Sequence, residues 1–107
     1  MEGSNYIVLF ITTDSTKEAR QISKLLLKQR KVACVNIISE VDSLFWWEDK
    51  LDSAQEKLLI AKTKASLLPE IINLVKEVHS YTVPEIIALP IVGGNQEYLE
   101  WIEESVA

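Results

Sequence analysis

Few side chains in this sequence can do chemistry. His79 is the only histidine and Cys34 the only cysteine. An imidazole and a thiol are strong ligands for copper and zinc, but one of each does not make a set. His79 follows an amphipathic helical stretch, where an imidazole also serves as a dipole-favoured cap. Cys34 sits between Ala33 and Val35, the setting of a small apolar residue rather than of a nucleophile. The remaining candidates, Glu56, Lys62, Tyr81 and Glu85, are the charged or polar residues singled out by the family resemblance given below. Lys62 and Glu85 lie on or beside apolar strand segments, where an unpaired charge is costly. Two readings stand: a Lys62–Glu85 ion pair at a subunit boundary with Tyr81 and Glu56 close by, or a polar ligand pocket made of the same four. An acid–base pair unaccompanied by a nucleophile, metal set or oxyanion arrangement argues against an enzyme. Gly93-Gly94 lacks the context of a phosphate-binding loop and reads as a turn.

The elements that must hold these residues follow from hydrophobic periodicity. Tyr6 to Thr12 is a β-branched apolar run, a strand buried on both faces. Ser15 and Glu18 form a capping box that opens a helix carrying Ala19, Ile22, Leu25 and Leu26. Val32 to Ile38 is a second strand, continuing through a bulge near Ser39-Glu40 to Trp47. The chain turns around Glu48-Asp49-Lys50 and returns through Leu51 to Lys64. Ser66 caps a second helix with Pro69 in its first turn. Ile86 to Val92 is a fourth strand, and Pro90 places it at a sheet edge. Asn95 caps a last helix bearing Tyr98, Leu99, Trp101 and Ile102.

The order βαββαβ plus one helix is the ferredoxin-like α+β arrangement, with an extended hairpin between the second and third strands, in a single domain over 1–107. Its two crossover helices cover one face of the sheet. Both faces are apolar, with Ile7, Leu9 and Ile11 against Val8 and Phe10 in the first strand and Ile86 and Ala88 against Ile87, Leu89 and Ile91 in the fourth, so a partner subunit is expected over whichever face the helices leave open. Phe45, Trp46 and Trp47 lie far out on the hairpin, beyond the reach of a small core, and are read as interface residues.

With 107 residues, one cysteine and a net charge of −5, there is no disulfide framework, and a phosphate-backbone binder is disfavoured. The sequence shows no secretory signal and no membrane span, so the expected compartment is the cytoplasm.

Three segments, Ala33-Cys34-Val35-Asn36-Ile37, Ser43-Leu44-Phe45-Trp46-Trp47 leading to Lys62-Thr63, and the run from His79 to Trp101, resemble the CutA family of divalent-cation tolerance proteins over about Tyr6 to Ala107. The resemblance implies a homotrimer linked to metal-ion response, with no enzymatic role and no nucleic-acid partner. It also implies copper or another divalent cation as ligand. Copper ligands reported in such proteins fall here on Ile11 and Val78-His79, leaving His79 as a weak site. Where the family usually has tyrosine, this chain has Phe45; Asp49 replaces the glycine of its turn. The alternative is a PII-like trimeric signalling module that binds a small effector or protein partner in clefts between subunits. The acylphosphatases share the topology, but their loop arginine is absent from Thr13-Asp14-Ser15.

Overall fold

The computed structural model describes residues 5–107. Strand β1 (Tyr6–Thr13) sends alternate side chains to opposite faces, and Ile7, Leu9 and Ile11 go to the core. Helix α1 (Thr16–Lys28) starts at Ser15, whose hydroxyl accepts from the Glu18 N–H at 3.1 Å. The reciprocal arm of the capping box is missing, because the Glu18 carboxylate accepts from the Asp14 and Ser80 backbone N–H groups instead. Ala19, Ile22 and Leu26 of α1 are buried on one stripe. The helix ends in a Schellman arrangement, with Arg30 N–H bonded to Leu27 O and Lys31 N–H to Leu26 O. Arg30 holds the left-handed position at φ 57° that glycine usually fills.

β2 (Cys34–Trp47) and β3 (Lys50–Lys64) form the long hairpin, with a register shift between Ile38 and Val41 as the sequence indicates. Glu48 and Asp49 make its tip with φ 50° and 63°, the pattern of a type I′ turn built without glycine. A 3₁₀ turn over Ala65–Leu67 leads into α2 (Leu68–Val78), whose Ile71 and Val75 are buried. Ser66 does not cap this helix; no side-chain cap bond is made, and the chain winds in through the 3₁₀ turn with Pro69 at the helix start. β4 (Ile86–Pro90) follows, then α3 (Gln96–Ser105), capped by the Asn95 side-chain Oδ1 accepting from Glu97 N–H at 3.0 Å.

The antiparallel sheet has the order β2-β3-β1-β4, the ferredoxin-like topology. Pro90 lies in the edge strand, where its missing N–H costs nothing. α1 and α2 pack on one face, around Leu9, Ile11, Leu59 and Ala61. Val8, Phe10, Ile60 and Ile87 alternate with these and take the opposite face. α3 crosses one end of that second face: Tyr6 and Lys64 both reach Glu103, and Cys34 Sγ lies 3.5 Å from the Tyr98 hydroxyl. The rest stays uncovered, with Ile87 50% and Ile38 44% exposed. Among the described residues no helix is long and apolar enough to cross a membrane.

Candidate functional site

The end of the second face away from α3 holds a cleft of about 440 Å³ lined by Thr12, Asp42, Ser43, Phe45, Glu56, Tyr81 and Glu85, with Leu44 and Val83 at its margin. Its parts come from four places. Thr12 ends β1. Ser43 and Phe45 follow the bulge in β2. Glu56 faces them from β3, because the register pairs it with Val41 and Ser43 with Ala54. Tyr81 and Glu85 belong to the segment between α2 and β4.

That segment is anchored by His79. Its side chain is fully buried, and both ring nitrogens are engaged. The Tyr81 backbone N–H can only donate, so Nδ1 accepts it at 3.0 Å; the Thr12 carbonyl can only accept, so Nε2 carries the proton and donates at 2.7 Å. The ring is thereby a neutral strut between the end of β1 and the start of the β4 approach. Its centroid lies 4.7 Å from that of Tyr81. Ser80 adds a second tie, its N–H and hydroxyl both donating to the Glu18 carboxylate. Burial alone would raise the Glu18 carboxyl, but those bonds from Ser80, with that from Asp14, outweigh it and hold the pKa below the usual carboxylate value.

Within the cleft the Tyr81 hydroxyl donates to Glu56 Oε2 at 2.6 Å, and Glu56 is only 7% exposed. Desolvation and the adjoining Glu56 carboxylate push the phenol well above its ordinary range. Glu85 is also raised, first by burial and then by the Glu56 charge. Two carboxyls and a phenol thus share a pocket in which adding negative charge is unfavourable.

The sequence-derived cluster forms only in part. Glu56, Tyr81 and Glu85 do come together, but Lys62 is elsewhere. It pairs with Val8 across β1, while Glu85 stands level with Thr12, about 13 Å farther along the strand direction. Its ammonium donates to the Asn36 side chain across the β2–β3 pair, so no Lys62–Glu85 ion pair forms within this chain. His79, expected as a weak metal ligand, spends both nitrogens on backbone groups; a metal there would have to break one of those bonds. Among the described residues no group of three or more His, Cys, Asp and Glu side chains is arranged to hold an ion. Cys34, read as a buried small residue, is half-buried, and its contact with Tyr98 is the leading cause that pushes that phenol up to about 12. Of the hairpin aromatics, Phe45 borders the cleft; Trp46 and Trp47 are exposed at 70% and 46%. The Glu18–Ser80 tie carries no local sequence signal, because 62 residues separate its ends.

A ferredoxin-like domain with a protruding hairpin, an uncovered apolar sheet face and an acidic cleft at the edge of that face defines the class of protein. The chain belongs to the CutA1 divalent ion tolerance protein family, whose model matches residues 7–105. It is 45% identical over 98 residues to the divalent-cation tolerance protein CutA of Thermus thermophilus, covering 92% of this chain and 95% of that one. To the chloroplastic protein CutA 1 of Oryza sativa it is 42% identical over 99 residues; the match covers 92% of this chain but 56% of the rice protein. The crystal structure of CutA1 from Oryza sativa superposes with a TM-score of 0.94 at 40% identity, covering 98% of this chain and 96% of the other. That from Thermus thermophilus gives 0.93 at 43% identity, covering 95% and 99%.

Proposed function

We propose that this protein acts in divalent metal-ion tolerance as a non-enzymatic homotrimer, assembled through the helix-free sheet face and the hairpin aromatics, in the cytoplasm. The observation that carries the reading is the uncovered face itself. Val8, Phe10, Ile38, Leu58, Ile60, Ile87 and Leu89 lie on one apolar face that a lone subunit leaves partly in water. Closed association of three copies would cover it, with the exposed Trp46 and Trp47 reaching neighbouring subunits. Copper or another divalent cation would then bind only weakly, at the cleft carboxylates rather than at His79, with affinity no tighter than about micromolar for such a carboxylate-dominated set.

Light scattering at micromolar concentration tests the assembly: a trimer mass is expected, and a folded monomer refutes it. Trp47→Ala should shift the mass toward monomer before it unfolds the chain, since truncating a buried interface aromatic costs about 2–4 kcal/mol. Calorimetric titration with Cu²⁺ tests the metal reading, and nanomolar binding at one site per subunit would overturn it. A second reading, a PII-like module taking a small effector between subunits, is favoured by the cleft. Its volume of about 440 Å³ falls in the range of ligand pockets, and it opens beside the proposed interface. A native mass spectrum of the protein, purified without added ligands, distinguishes the two by the mass of anything retained.

A further inference from the structure

The net charge of −5 conceals a strong segregation. Six of the eleven cations and one of the sixteen acids lie between Thr16 and Lys31, so that segment stands at +5 and the remainder of the chain at −10. Lys17, Arg20, Lys24 and Lys28 are all exposed, and at 100° per residue they fall within one narrow arc of α1. The arc is opposite the buried stripe of Ala19, Ile22, Ser23 and Leu26. Arg20–Lys24 and Lys24–Lys28 are like-charge i,i+4 pairs, which work against the helix that carries them. None of the four makes an ion pair among the described residues: Lys31 pairs with Glu70, and Glu18 is turned inward to Ser80.

We propose that this stripe docks the protein on an anionic lipid surface. Its composition favours that partner over the other polyanions. Three of the four cations are lysines, mobile point charges suited to a diffuse layer of headgroups rather than to the bidentate recognition that arginine gives a defined peptide or nucleic acid. The stripe is convex, about 16 Å long over the twelve residues from Lys17 to Lys28, and has no aromatic side chain on which a base could stack. Leu27, 39% exposed at its flank, can enter the headgroup boundary. Glu70 and Glu77 on α2 are the nearest exposed acids of the helical layer and oppose the attraction, as does the body of the chain. The molecule is 23 Å deep even along its shortest axis, more than two screening lengths at physiological salt, so acids on its far side count less than the stripe that touches the surface. The charge asymmetry also orients the encounter, basic helix toward the lipid. α1 lies on the helix-covered side of the sheet, so assembly through the opposite face leaves the stripe free.

The test is co-sedimentation of the full chain with vesicles of 30% phosphatidylserine in phosphatidylcholine, against phosphatidylcholine alone, at low and high salt. Each cation near such a surface contributes about fivefold to partitioning at low ionic strength. Lys24→Glu should therefore weaken binding by more than tenfold. The same substitution replaces two like-charge pairs by opposite ones and should keep or raise the melting temperature, which separates lost binding from lost fold. Lys50→Glu at the hairpin tip makes the same change in net charge and should leave binding within twofold of the parent. The proposal is overturned by equal sedimentation with both vesicle types, by Lys24→Glu and Lys50→Glu acting alike, or by tighter binding to a 30-nucleotide DNA duplex than to the anionic vesicles.

Discussion

Replacing His79 by alanine separates a strut from a metal ligand. The substitution removes the imidazole that accepts from the Tyr81 N–H at 3.0 Å and donates to the Thr12 carbonyl at 2.7 Å. Both backbone groups lose their partner beside a side chain that is fully buried. An orphaned buried polar group costs about 1–3 kcal/mol. Thr12 is 7% exposed and Tyr81 less fully covered, so values at the low end, about 1 kcal/mol each, are appropriate. The lost packing against the Tyr81 ring, at 4.7 Å between centroids, adds about 0.5–1 kcal/mol. The expected loss is about 3 kcal/mol, or a fall in melting temperature of roughly 12–15 °C for a domain of this size. Differential scanning calorimetry at fixed protein concentration measures it, with Cu²⁺ titrations on both proteins in parallel. The expected result is a much less stable protein with unchanged cation affinity. An unchanged melting temperature with cation binding abolished would refute the strut and restore the ligand.

Two carboxyls, Glu18 of α1 and Glu85 of the cleft, should respond to pH in opposite directions. Glu18 has a folded pKa below its ordinary 4.5, so its contribution to stability is present above that value and lost as pH falls through the lowered pKa; Glu18→Gln should destabilise at pH 7, and the difference from the parent should shrink as pH falls below 4.5. Glu85 has a raised folded pKa, so its ionised form opposes folding above the window and that penalty disappears as pH falls toward 4.5; Glu85→Gln should stabilise at pH 7 and converge with the parent under acid, as urea titrations across pH would show. At the hairpin tip, the double change Glu48→Asn and Asp49→Gly relieves two left-handed non-glycine residues and should add about 1–2 kcal/mol, read from the denaturation midpoint; a loss of stability would show that the turn is not of the I′ type.

The order of elements was legible because each is written in a local pattern. The apolar runs of β1 and β4, the Ser15 and Asn95 caps, the bulge after Ile38 and the edge position of Pro90 all follow from periodicity and backbone chemistry within a few residues. The failure at Ser66 is of the same scale: a serine before an apolar face signals a cap, yet the chain enters α2 through a 3₁₀ turn, a choice among near-equal local geometries.

The site was legible only in its membership. Glu56, Tyr81 and Glu85 were marked by resemblance to family motifs rather than by any local pattern, and they do meet. Which of them touch is a matter of register, since β1 joins β3 and β4 in alignments that no short-range signal specifies. That alignment sends Lys62 to Asn36 and brings Tyr81 to Glu56. The sequence could say that His79 ends a helix; only the tertiary structure could bring the Thr12 carbonyl to one nitrogen and the Tyr81 N–H to the other, because 67 residues of chain separate the first pair. Local patterns set what each segment becomes, and long-range strand pairing decides which polar groups must satisfy one another.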